Sequence, residues 1–181
     1  RIGQVAAVHL MDTDLAIESL SEVTDRDPDH AGALNTLSEL YQRNGEWDRA
    51  ADTLERALSG GQGADRGEAL RRLGLLYRDH LDNPESAVEY FDEAVRESND
   101  AIALDALIST FGDGRDDVRL RELLELKISI AEGDARRSAL VLLSDLKIRD
   151  GEYEGAIPAL VEAHEQQPDD LEVAQRLASV Y

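Results

Sequence analysis

"RNGEWDRAADTLERAL" occupies residues 43–58, and a near copy, "RDGEYEGAIPALVEAH", occupies residues 149–164. In each, a glycine, an acid and an aromatic stand before an amphipathic run. Glu46 and Asp48 make a tempting catalytic pair, yet a motif that returns within one chain is first a sign of internal repetition. Aligned on the glycine, Leu37, Ser38, Tyr41, Gly45, Trp47, Ala50, Leu54 and Ala57 form one set. Leu143, Ser144, Gly151, Tyr153, Ala156, Leu160 and Ala163 form the other, each about 106 residues on, close to three spacings of about 35.

Between the two lies "LRRLGLLYRDHLDNPESAVEYFDEAV" at residues 70–95, where Leu70, Leu73, Gly74, Tyr77, Ala87, Phe91 and Ala94 fall in the same order with one extra residue in the turn. A weaker copy runs through Leu104, Leu107, Phe111, Leu120 and Leu124, with the small residues lost. Ala16, Leu20, Val23 and Pro28 match the second half of a repeat, and Leu177, Ala178 and Tyr181 the first half of another. The pattern divides residues 1–181 into four full repeats (30–64, 65–99, 100–134, 135–169) and two partial ones (1–29, 170–181).

Within each repeat the apolar residues recur at spacings of three, four and seven, the helical period, and no segment alternates as a half-buried strand does. Asn83 before Pro84 reads as an N-cap followed by proline at the first helical position. "DPDH" at 27–30 and "QPDD" at 167–170 mark helix starts, and Gly45, Gly133 and Gly151 are expected to break the helices they follow. The expectation is an all-α chain of about eleven helices, at 2–11, 14–26, 30–43, 47–59, 65–80, 84–98, 100–111, 116–132, 135–149, 153–166 and 170–181. Pro158 falls early in one of them, where it removes a backbone donor and should bend the helix.

Composition agrees. Hydrophobic residues make up 42% of the chain, enough for a packed core, while aromatics are only 4%. No stretch is long and apolar enough to span a membrane, so no membrane insertion is expected of this segment. A formal charge of −20 repels phosphate backbones and excludes nucleic acid as an expected partner. The absence of cysteine excludes disulfides and thiolate metal sites without identifying a compartment. Beginning at Arg1 without methionine and stopping at Tyr181 inside an apolar run, the chain reads as a piece of a longer protein, with cytoplasmic and exported locations both open.

The order Leu, small, Tyr, Gly, aromatic, Ala, Leu or Phe, Ala, with Pro28 and Pro168 closing two units, resembles the tetratricopeptide repeat. That resemblance implies a single right-handed α-solenoid of antiparallel helix pairs. Gly74, Ser38, Ala50, Ala87 and Ala156 are then the points where two helices approach closely, and Tyr41, Tyr77, Leu54 and Phe91 fill the space between neighbours. The fourth unit departs from the pattern, because Ile108 and Leu120 stand where small residues are expected, and its helices should be pushed apart.

The resemblance also implies a concave groove lined by the first helix of each repeat, taking a peptide or protein partner without catalysis. The outward positions are Asn35, Glu39, Gln42 and Arg43, then Glu68, Arg71, Leu75 and Arg78, then Asp105 and Ser109, then Ser138, Val141, Asp145 and Arg149, and finally Gln175. Arg43, Arg71 and Arg78, with Asn35 and Arg72 close by, form a basic spot suited to a carboxylate, or else pair internally with Glu39, Glu68 and Asp79. Some family members clamp a carboxylate terminus through asparagines. Thr36, Arg72 and Ala106 occupy that position here, which does not support such a clamp.

Other motifs are silent. His9, His30, His80 and His164 lie in different repeats without metal-ligand spacing, and "GGQG" at 60–63 lacks the following Lys and Ser or Thr of a phosphate loop. "DGRDD" at 113–117 lacks the later bidentate acid of a calcium loop. No catalytic, cofactor or metal site is expected, and the alternatives to a binding scaffold are a spacer, a module that self-associates as a homodimer through its ends, and a regulatory segment of a larger protein.

Overall fold

The computed structural model describes residues 13–60, 66–112 and 116–181. The expected helix at 2–11, His9, and parts of the "GGQG" and "DGRDD" stretches lie outside the described residues. Ten helices are present among the described residues, and no strand: α1 (Thr13–Arg26), α2 (Ala31–Arg43), α3 (Trp47–Ser59), α4 (Arg66–Asp79), α5 (Pro84–Ser98), α6 (Ala101–Phe111), α7 (Asp117–Ile130), α8 (Gly133–Arg149), α9 (Tyr153–Gln166) and α10 (Leu171–Ser179). The class is all-α, built as a helical-repeat solenoid, and contacts divide the chain into two compact units, Arg1–Ala103 and Leu104–Tyr181.

In the first unit α2 packs on α3 and α4 on α5, while α1 meets α2 and α3 meets α4. Side chains at the repeated apolar positions form its core, among them Ala16, Leu37, Tyr41, Ala50, Leu54 and Leu73. Two small residues permit this spacing. A Cβ added to Gly74 would stand 2.5 Å from the ring of Phe91 on α5. Ser38, fully buried, donates its hydroxyl to the Ala50 carbonyl of α3 at 3.1 Å, so the polar atom is satisfied where the helices touch.

In the second unit α8 packs on α9, with α7 against α8 and α10 against α9. Leu140, Ala156, Ala159, Leu160, Ala163 and Val173 form its core. Pro158 lies on the exposed side of α9, and the helix runs through it from Tyr153 to Gln166.

The helix ends follow local chemistry. Asn83 Oδ1 accepts from the Ser86 amide at 3.0 Å with Pro84 opening α5, as the dipeptide predicts. His30 caps α2 through Nδ1, which accepts from the Ala33 amide at 3.2 Å. Gly45 and Gly151 adopt φ of 74° and 80° in the turns after α2 and α8. Gly133 differs from its expected role: α7 ends at Ile130 with Ala131 extended as its C-cap, and Gly133, at φ 55°, opens α8. The left-handed residue ending α5 is Asn99, at φ 51°, a non-glycine position that the glycine pattern does not reveal.

Candidate functional site

In the first unit most of the basic spot is already neutralised. Arg72 reaches Glu39 of α2 at 3.6 Å, Arg71 lies 3.8 Å from Glu68 and 3.1 Å from Asp100, and Arg78 meets Asp79 at 2.6 Å. The hydrogen bond from Arg78 holds the Asp79 carboxyl below its usual range. Gln42 donates to Ser38 Oγ at 3.2 Å, Asn35 and Leu75 are half-buried, and Arg43 is exposed. These residues belong to two neighbouring first helices, α2 and α4, but their cations mostly answer their own acids.

Behind them stands a cluster that the repeat pattern treats only as packing. The carboxylate of Glu55 on α3 accepts from both Tyr77 on α4 and Tyr90 on α5, each at 2.8 Å, and the two rings stack at 5.4 Å. Burial, then this carboxylate, pushes the Tyr77 phenol up to about 12 and moves Tyr90 in the same direction. Trp47 stacks on His80 with ring centroids 3.7 Å apart. Glu46, half of the tempting acid pair, bonds Arg49 at 2.6 Å beside the α3 N-terminus.

The second unit holds a cavity of about 390 Å³ among α6, α7 and α8. Ile108, Leu120, Leu124, Leu142 and Leu146 make its apolar wall, with Ser109, Gly112, Asp145 and Arg149 completing the lining. Leu142 is 48% exposed, an apolar side chain left facing the opening. Three groove positions named from sequence, Ser109, Asp145 and Arg149, are thus brought together. Asp105 stands one helical turn before Ser109 and pairs with Lys127 of α7. Ser138, Val141 and Gln175 do not line the cavity.

Both charges on the lining have partners inside the unit. Asp145 bonds Arg176 of α10 at 2.9 Å, which raises the arginine further, and Arg149 meets Asp117 of α7 at 2.6 Å. The leucines of α7 and α8 escaped the groove reading because they count as core by periodicity; the available signal was the presence of Ile108 and Leu120 at small-residue positions. Among the described residues no three His, Cys, Asp or Glu side chains are placed to hold a metal, and no helix is long and apolar enough to cross a membrane.

The sequence model of the tetratricopeptide repeat family matches residues 10–73. The chain has no match among curated proteins. Among solved structures it is similar to MamA, at 21% identity and a TM-score of 0.65, with 95% of this chain and 98% of that chain covered. A TPR repeats protein from Bacteroides fragilis NCTC 9343 is 15% identical with a TM-score of 0.70, covering 98% of this chain and 94% of its own. YrrB, a TPR protein with an unusual peptide-binding site, is 18% identical with a TM-score of 0.62, covering 96% and 87%. The chain thus carries a tetratricopeptide-repeat signature over residues 10–73, and along nearly its whole length it shares the helical-repeat fold of these structures.

Proposed function

We propose that the chain is a non-catalytic scaffold that binds a peptide or protein partner on the faces of its first helices, with the cavity of the second unit as the anchoring point. Tetratricopeptide-repeat proteins are in general interaction scaffolds, and one structural neighbour is a TPR protein with a peptide-binding site. The observation that carries the reading is the cavity: an apolar hollow within the size range of ligand pockets, with half-exposed Leu142 at its opening and groove residues at its edge. In the first unit, the face around Asn35, Glu39, Gln42, Arg43, Arg71, Leu75 and Arg78 is a separate contact surface, on which Arg71 and Arg78 are occupied by internal pairs.

Selecting a random peptide library on the purified chain and counter-testing the enriched peptides on Leu142→Asp checks this. Enriched peptides should lose binding to the variant at unchanged melting temperature; peptides that bind both proteins alike would contradict the placement. A self-association module is the competing reading, favoured by Leu171 and Tyr181, which are 75% and 85% exposed in the last helix and just beyond it. Light scattering over a concentration series separates the two, because a monomer that captures peptides fits only the first.

A further inference from the structure

Resting on that reading, the partner's chemistry follows from what the cavity leaves unsatisfied. Inside, neither charged group of the lining waits for a ligand. Asp145 and Arg149 are paired with Arg176 and Asp117 at the rim, so a charged group carried down among the leucines would lose hydration without meeting a counter-charge at that depth. The wall of Ile108, Leu120, Leu124, Leu142 and Leu146 asks for an apolar group, and taking one out of water there is favourable.

Outside the wall the balance of charge is acidic. Asp105 and Asp145 lie on the faces of α6 and α8 that carry Ser109 and Leu142, spaced by four and three residues. Their side chains remain 56% and 43% exposed despite their partners, whereas the partner cations Lys127 and Arg176 are withdrawn to 18% and 33%. The open oxygens are therefore available to a second cation, while the protein's own cations are the less accessible half of each pair. The chain as a whole carries −20, which draws basic segments and repels acidic ones at long range.

We infer that the cavity takes a leucine- or phenylalanine-type side chain from a segment flanked by lysines and arginines, the apolar residue entering among α6, α7 and α8 and the flanking cations meeting Asp105 and Asp145. Arg149, 51% exposed on one side, sets a direction, since a cation is disfavoured at that end of the opening.

The test is fluorescence polarisation with three short labelled peptides: one central leucine among Lys and Arg, the same peptide with serine for leucine, and the leucine peptide with Glu flanks. The leucine peptide with basic flanks should bind at least about tenfold more tightly than either other, and weaken as salt rises. Ser109→Phe, which fills the cavity from an exposed position, and Leu142→Asp should each remove that preference at unchanged melting temperature. Equal binding of the serine peptide overturns the apolar anchor, and equal binding of the Glu-flanked peptide overturns the basic flanks, while in both cases the scaffold reading stands. If none of the three binds and library selection also yields no ligand, the scaffold reading falls and takes the inference with it.

Discussion

Gly74 concentrates the residue-scale logic of the fold. With Phe91 only 2.5 Å from where a Cβ would stand, Gly74→Ala should overpack the α4–α5 joint and lower stability by about 1–3 kcal/mol in urea unfolding. Ala50, fully buried against Ser38, obeys the same rule. Both positions were legible in the sequence, because a small residue recurring at fixed spacing has few explanations besides close approach. The Glu55, Tyr77, Tyr90 cluster was not, since a glutamate on a helical surface carries no mark of two phenols reaching it from the next pair. Its consequence is a pH dependence. The folded value of Tyr77, about 12 against an ordinary 10.0, means that the folded state keeps a proton which the unfolded state loses. The contribution of Tyr77 to stability is therefore level below about pH 10 and is lost as pH rises toward 12. Ultraviolet titration should show a late-ionising tyrosine component that Glu55→Gln brings earlier; a titration curve that Glu55→Gln leaves unchanged would contradict the assignment.

At the level of helices, arginines act as clips at equivalent places in two repeats. Arg66 at the start of α4 donates to the Leu58 carbonyl of α3 at 3.3 Å and pairs with Glu93 and Glu97 of α5. Arg136 near the start of α8 donates to the Ile128 carbonyl of α7 and to Glu162 of α9 at 2.7 Å. Each ties the end of one helix to the start of the next and to its pair, using an orphan carbonyl that a helix C-terminus leaves free. Replacing Arg136 by alanine should cost about 1–2 kcal/mol, moderated by partial exposure, and should speed amide exchange at the end of α7 more than in α2. Helix positions were readable from the 3.6-residue period and the caps. Gly133 and Asn99 were misplaced or missed, because a turn of positive φ is imposed by how neighbouring helices meet and not by residue type alone.

For the whole molecule, repetition settles the class of fold and leaves any binding site to local departures from the repeat. Seven motif positions could be read off one alignment of the chain with itself, and the helical-repeat fold follows from them. The proposed binding face was only partly legible. Ser109, Asp145 and Arg149 are gathered at one cavity, whereas the arginines of the first unit, attractive as a carboxylate site, spend their charge on Glu39, Glu68, Asp79 and Asp100. Sequence names charges without showing which are already answered. The same argument predicts that Arg71→Glu should disturb stability, through repulsion from Glu68 and Asp100, more than it changes peptide affinity; comparing urea midpoints with peptide titrations checks the order of the two effects.

A proton–nitrogen correlation titration of the isotopically labelled chain with the leucine peptide carrying basic flanks tests the central claim most directly. Saturable shifts centred on Ser109, Gly112, Leu142, Asp145 and Leu146, absent in Ser109→Phe, are the predicted result; saturable shifts that leave these residues unmoved, or that persist in the filled variant, would contradict it.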